Sequence, residues 1–145
     1  MRPVAQPSTL FPPPAARVLF IDDQPDAKGL YREYLEFCGF RVTIASGLDL
    51  VVHSDVNVPD VIVIDLAMPC VDGFETIRQL KAHPATSRIP MVALSGLSSD
   101  HIPLARAAGA DVCLAKPCVP SQVARAIQTL LVWQRSRHLA ADGSR

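Results

Sequence analysis

Short apolar runs alternate with helical patterns along most of this chain, and that alternation restricts the fold more than any other feature of the sequence. The runs RVLFI (Arg17–Ile21), FRVTIA (40–45), VIVI (61–64), PMVAL (90–94) and DVCLA (111–115) favour β-branched residues and read as strands. VIVI is apolar at every position, as expected of a strand covered on both faces. Helical spacing follows in Leu30, Tyr34, Leu35 and Phe37, closed by Gly39, then in a weakly specified segment over 48–56 that Asn57 and Pro59 terminate. Further helices are predicted over 73–82, 100–108 and 121–135. In the last, Val119, Val123, Ile127, Leu130 and Leu131 form one core-facing stripe, with Arg125, Gln128 and Arg135 largely off it. Parallel strands need helical crossovers, so the pattern predicts a doubly wound α/β domain: a five-stranded parallel sheet with helices on both faces.

A chain of 145 residues can build one such domain without disulfides. Pro3, Pro7, Pro12, Pro13 and Pro14 predict a flexible, polyproline-like tail over 1–16. Residues 17–137 are then the domain, and small polar residues with Gly143 predict a frayed tail over 138–145. Acids and bases balance at 14 each, which argues against a nucleic-acid partner. Cys38, Cys70, Cys113 and Cys118 form no C-x-x-C pair, as expected of reduced thiols in a cytoplasm. No apolar run approaches the roughly 20 residues of a membrane helix, so a soluble protein without membrane contact is expected.

Ligands of open α/β sheets bind at the carboxyl ends of the strands. There the first strand ends in Asp22 and Asp23, the third in Asp65, the fourth in Ser95 and the fifth in Lys116. Singly, each could be a helix cap or surface charge. Together, three carboxylates at one rim repel strongly unless a cation offsets them. Oxygen donors without histidine or cysteine suit a hard ion, Mg²⁺ or else Mn²⁺. Such an ion, with a lysine and a hydroxyl opposite, can hold phosphoryl oxygens and make Asp65 a nucleophile toward phosphorus.

The segments IDD (21–23), VIVIDLAMPCVDGFE (61–75), LSG (94–96) and AKPC (115–118) resemble response regulator receiver domains of two-component signalling, chemotaxis regulators among them. The resemblance spans about 17–135. It implies the flavodoxin-like strand order 2-1-3-4-5, and phosphorylation of Asp65 by a histidine kinase or a histidine phosphotransfer protein. It implies Asp23 as a direct metal ligand, Asp22 as an acid bound to the metal through water, and Ala67 as a ligand through its carbonyl. Ser95 matches the switch hydroxyl, Lys116 the lysine on the phosphoryl group, and Pro117 the proline that follows it, typically through a cis bond. The family role is a signalling switch rather than an enzyme, with self-catalysed phosphoryl acceptance and slow autodephosphorylation. Its output face, helix 100–108 with strand 111–115 and helix 121–135, would meet a downstream protein partner; a homodimer is compatible with the pattern.

Three departures stand out. Cys113 occupies the aromatic switch position, and Ala67 and Leu97 replace polar residues that often position the hydrolytic water. A phosphohydrolase built on an aspartyl phosphate would usually carry a second acid at Ala67. A thiol sensor using Cys70, Cys113 and Cys118 is the weaker reading against inert thiols. No helix-turn-helix or basic recognition helix follows Arg135, so the expected partners are proteins. A free-standing regulator, a relay intermediate and a receiver within a larger kinase all fit the sequence.

Overall fold

Strands β1 (Arg17–Ile21), β2 (Arg41–Ala45), β3 (Val61–Asp65), β4 (Met91–Ser95) and β5 (Val112–Ala115) form one parallel sheet in the order β2-β1-β3-β4-β5. The computed structural model describes residues 16–22, 29–45, 58–66, 72–96 and 101–143, with side chains in the last stretch as far as 136. The crossovers described are α1 (Gly29–Phe37), α2 (Gly73–Ala82) and α3 (His101–Ala108), and α4 (Pro120–Gly143) follows β5. The helix expected over 48–56, and residues 1–15 of the expected tail, lie outside the described residues.

Every residue of β3 and β4 is buried, which is what an unbroken apolar run requires when helices cover both faces. Alternation sends Leu19, Ile21, Ile62, Ile64, Met91 and Ala93 to one face, against Ile77 and Leu80 of α2 and Ala105 and Ala108 of α3. Val18, Phe20, Val61, Val63, Val92 and Leu94 face the other way, against Leu35 of α1 and Val123, Ile127 and Leu130 of α4.

Two helices differ from their sequence reading. In α1 only Leu35 of the expected stripe is buried; Leu30 and Phe37 are 74% and 87% exposed. The core side of α1 instead carries Tyr31 and Leu35, continued by Cys38 just past its end, a 3.6-residue repeat in a different phase. α4 continues helical past Arg135 to Gly143, since Leu139, Ala140 and Ala141 are helix formers and no proline intervenes. Its stripe holds at Val123, Ile127 and Leu130, whereas Val119, just ahead of the helix, is exposed. Among the described residues no helix is long and apolar enough to cross a membrane.

Candidate functional site at the carboxyl rim of the sheet

The register of the sheet sets the heights of the candidate residues. Ile21 pairs with Ile64, so Asp22, the residue after β1, is level with Asp65, the last residue of β3. Asp65 pairs with Leu94, and Ser95 closes β4 opposite Ala115. Backbone bonds continue past the strand ends: Asp22 N–H donates to the Ala45 carbonyl at 2.9 Å, Leu66 N–H to Leu94 at 2.9 Å and Lys116 N–H to Ser95 at 2.7 Å. Neighbouring strands lie about 4.8 Å apart, so Asp22, Asp65, Ser95 and Lys116 follow one another along one rim. Asp22, Asp65 and Ser95 are all at least 95% buried.

Across that rim the Lys116 ammonium donates to Asp65 Oδ2 at 2.5 Å, with the Asp65 side chain only 7% exposed and that of Lys116 26%. β5 lies beyond β4 from β3, so the lysine stem has to pass over the end of β4. Gly96 leaves the room: a Cβ there would stand 3.3 Å from Lys116 Cδ. Gly73 has a similar part behind Asp65, where a Cβ would stand 2.9 Å from Leu66 Cα. Asp72 caps the following helix, its Oδ1 accepting from Phe74 N–H at 3.0 Å and Glu75 N–H at 3.3 Å. The D-G pair of the sequence thus fixes how α2 leaves the strand that carries Asp65.

The Lys116–Pro117 peptide is cis. Cys113 pairs with Ala93 in the sheet and packs, half-buried, against the core of the α2 and α3 face. Burial pushes its thiol up from the ordinary range, against the opposing pull of the Arg106 guanidinium. Asp23 and Ala67 lie outside the described residues, as do Cys70 and Leu97. Among the described residues no three His, Cys, Asp or Glu side chains gather into a metal-binding group; two of the three expected acids, Asp22 and Asp65, are described. Their donor chemistry fits a hard cation, for among the described residues these are buried carboxylates at one level of the rim, and oxygen donors suit such an ion.

Sequence reasoning took in Gly73 and Gly96 only as members of their motifs, without assigning them a part, and passed over Tyr31. Tyr31 donates its hydroxyl to the Cys118 carbonyl at 2.8 Å, just beyond Lys116, and no short motif signals such a contact.

A family model for the response regulator receiver domain matches residues 18–128. A gliding motility regulatory protein of Myxococcus xanthus is 38% identical over 101 residues, covering 68% of this chain and 13% of that protein. Response regulator SaeR of Staphylococcus aureus is 27% identical over 122 residues, covering 83% of this chain and 53% of that protein, so the chain spans about half the length of that relative. Chemotaxis response regulator CheY4 of Vibrio cholerae has a TM-score of 0.69 at 26% identity, over 79% of this chain and 98% of that one. The receiver domain of sensor histidine kinase PA1611 from Pseudomonas aeruginosa PAO1, whose structure has a magnesium ion coordinated in the active site cleft, has a TM-score of 0.70 at 24% identity, over 81% of this chain and 98% of that one.

Proposed function

The chain belongs to the response regulator receiver domain family of two-component signalling, and from that premise we propose that it is a phosphorylation switch whose acceptor is the Asp65 carboxylate. The observation that carries this reading is the Lys116 ammonium on Asp65 Oδ2 in a buried rim. A carboxylate so placed is a nucleophile with a cation already beside the position where phosphoryl charge will develop.

In the reaction, an Asp65 oxygen attacks phosphorus, the new P–O bond forms as the donor's P–N or P–O bond breaks, and the leaving group keeps the electron pair. Lys116 turns from the carboxylate to a phosphoryl oxygen, and the Ser95 hydroxyl, closing β4 two strands from β1, donates to another. Asp22, Asp23, Asp65 and the Ala67 carbonyl would hold Mg²⁺ or Mn²⁺, which when bound offsets the charge of the transferring phosphoryl oxygens. The donor would be a histidine kinase or histidine phosphotransfer protein in the cytoplasm, and the unit that receives it residues 17–137. Output would pass through the face of α3, β5 and α4 to a protein partner. Ala67 and Leu97 offer no side chain to align a hydrolytic water, so the phosphoaspartate is expected to decay slowly; Ala67→Asn with Leu97→Glu should speed its loss.

Intact-mass measurement with acetyl phosphate or phosphoramidate tests the reading. One phosphoryl group should add only when Mg²⁺ is present, and Asp65→Asn should take none. Undiminished labelling in the Asn variant, or labelling independent of divalent metal, would refute it.

A further inference from the structure

Lys116 stands on a loop. β5 ends at Ala115 and α4 begins at Pro120, so no helix or strand of its own fixes the residue that carries the ammonium. Hydrogen bonds fasten this loop from three directions. Lys116 N–H donates to the Ser95 carbonyl at 2.7 Å, and Val119 N–H donates to Gln122 Oε1 at 2.8 Å, in the first turn of α4. The third bond comes from across the domain, the Tyr31 hydroxyl of α1 donating to the Cys118 carbonyl at 2.8 Å. Pro117 and Pro120 supply no N–H, so the loop has few backbone donors with which to brace itself.

Tyr31 is itself held firmly. Its ring lies against that of Phe20, which is fully buried in β1, with centroids 5.7 Å apart and planes tilted by 48°. Phe20 stands two residues before Asp22, so this ring contact and the Tyr31 hydroxyl bond together connect the strand that leads to Asp22 with the loop that presents Lys116. The tyrosine thiol contact is long, 3.8 Å from Oη to Cys118 Sγ, and the short bond goes to the backbone. A tie to the backbone acts on the path of the chain, and thereby on where the neighbouring Lys116 side chain begins.

We infer that Tyr31 is a positioning residue for the phosphoryl-transfer site: through the Cys118 carbonyl it holds the loop that aims Lys116 at Asp65. The inference rests on the reading of Asp65 as phosphoacceptor. Misplacement by about 1 Å can slow a reaction about 10²-fold, but one hydrogen bond can enforce only part of that. A slowing of about three- to tenfold on loss of the hydroxyl follows.

The test is a double-mutant cycle on the full chain. Initial rates of Mg²⁺-dependent labelling by phosphoramidate are measured for wild type, Tyr31→Phe, Lys116→Ala and the double variant, with amide hydrogen exchange of Lys116, Cys118 and Val119 followed in metal-free protein. Tyr31→Phe keeps the ring and its packing on Phe20. It should label about three- to tenfold more slowly, exchange faster at Cys118 and Val119, and add no slowing in the Lys116→Ala background. A wild-type rate in Tyr31→Phe, equal slowing in both backgrounds, or loss of the fold would each overturn the inference, the last two by giving Tyr31 a role other than through Lys116. Wild type that takes no label refutes the Asp65 reading, and this inference with it. Wild type that labels and is slowed by Lys116→Ala leaves that reading standing whatever Tyr31→Phe does.

Discussion

At the rim, two glycines matter because of what stands where their side chains would be. A Cβ at Gly73 meets backbone, Leu66 Cα at 2.9 Å, which cannot retreat without moving the turn after Asp65. Gly73→Ala is therefore expected to destabilise by about 1–3 kcal/mol, as overpacking does. Gly29→Ala, at the start of α1 with nothing within 4 Å, should be neutral or stabilise by up to about 1 kcal/mol. Urea midpoints of the two variants decide the matter, and equal shifts would contradict the contact argument. At Cys113 the direction is set by burial: the thiol is pushed up, so less thiolate is present at any pH below its folded value than in a free cysteine. Alkylation of Cys113 should lag behind a free thiol at pH 8 and catch up only as pH rises past the ordinary thiol range. Stability should fall over the same rise, because the unfolded chain ionises first. Rapid alkylation of Cys113 at pH 7 would revive the thiol-sensor reading.

Among the elements, the strands were legible and the phase of α1 was not. VIVI and its neighbours announce themselves because burial on both faces leaves no polar position to interrupt the run. In α1 the apolar residues outnumber those the core accepts, and Leu30, Tyr34 and Phe37 make a stripe as regular as the one that is buried. Tyr31 disguises the true core side, for its ring packs inward while its hydroxyl serves the loop after β5. Leu35→Ala should accordingly cost about 2–5 kcal/mol, and Phe37→Ala no more than about 0.5 kcal/mol, as thermal denaturation would show. A larger loss at Phe37 would mean that the helix is set in the other phase. That Asp22, Asp65, Ser95 and Lys116 share one rim was readable because the strand ends carry them in sequence order. The glycines that make room for it, and the tyrosine that steadies its loop, work through space that only the folded chain defines.

In the whole molecule, Asp65 of β3 meets the lysine beyond β5 at the rim where Asp22 follows β1, while the face of α3, β5 and α4 lies to one side of it. A phosphoryl group on Asp65 would add roughly −1.5 to −2 charge there, by analogy with phosphorylated hydroxyl residues. Ser95 and Lys116 would answer it through β4 and β5. On the proposed reading Cys113 would stand where relatives often carry an aromatic ring that reports this change, and its small side chain packs toward the α2 and α3 core. Reversing a 1:99 equilibrium takes about 5.5 kcal/mol, so without that ring phosphorylation alone should shift the domain incompletely and a partner on the output face should complete the change. NMR spectra of the beryllofluoride complex, with and without partner and alongside Cys113→Tyr, would show this; a fully shifted spectrum without partner, unchanged in the Tyr variant, would contradict it. The identity of the acceptor underlies all of these expectations, and borohydride reduction of the phosphorylated chain tests it most directly. That reaction converts a phosphorylated aspartate into homoserine, which peptide mass spectrometry can locate. Homoserine at position 65, formed only after labelling with Mg²⁺, is the result the account predicts; homoserine at another acid, or a phosphoryl group that resists reduction because it sits on a hydroxyl, would contradict it.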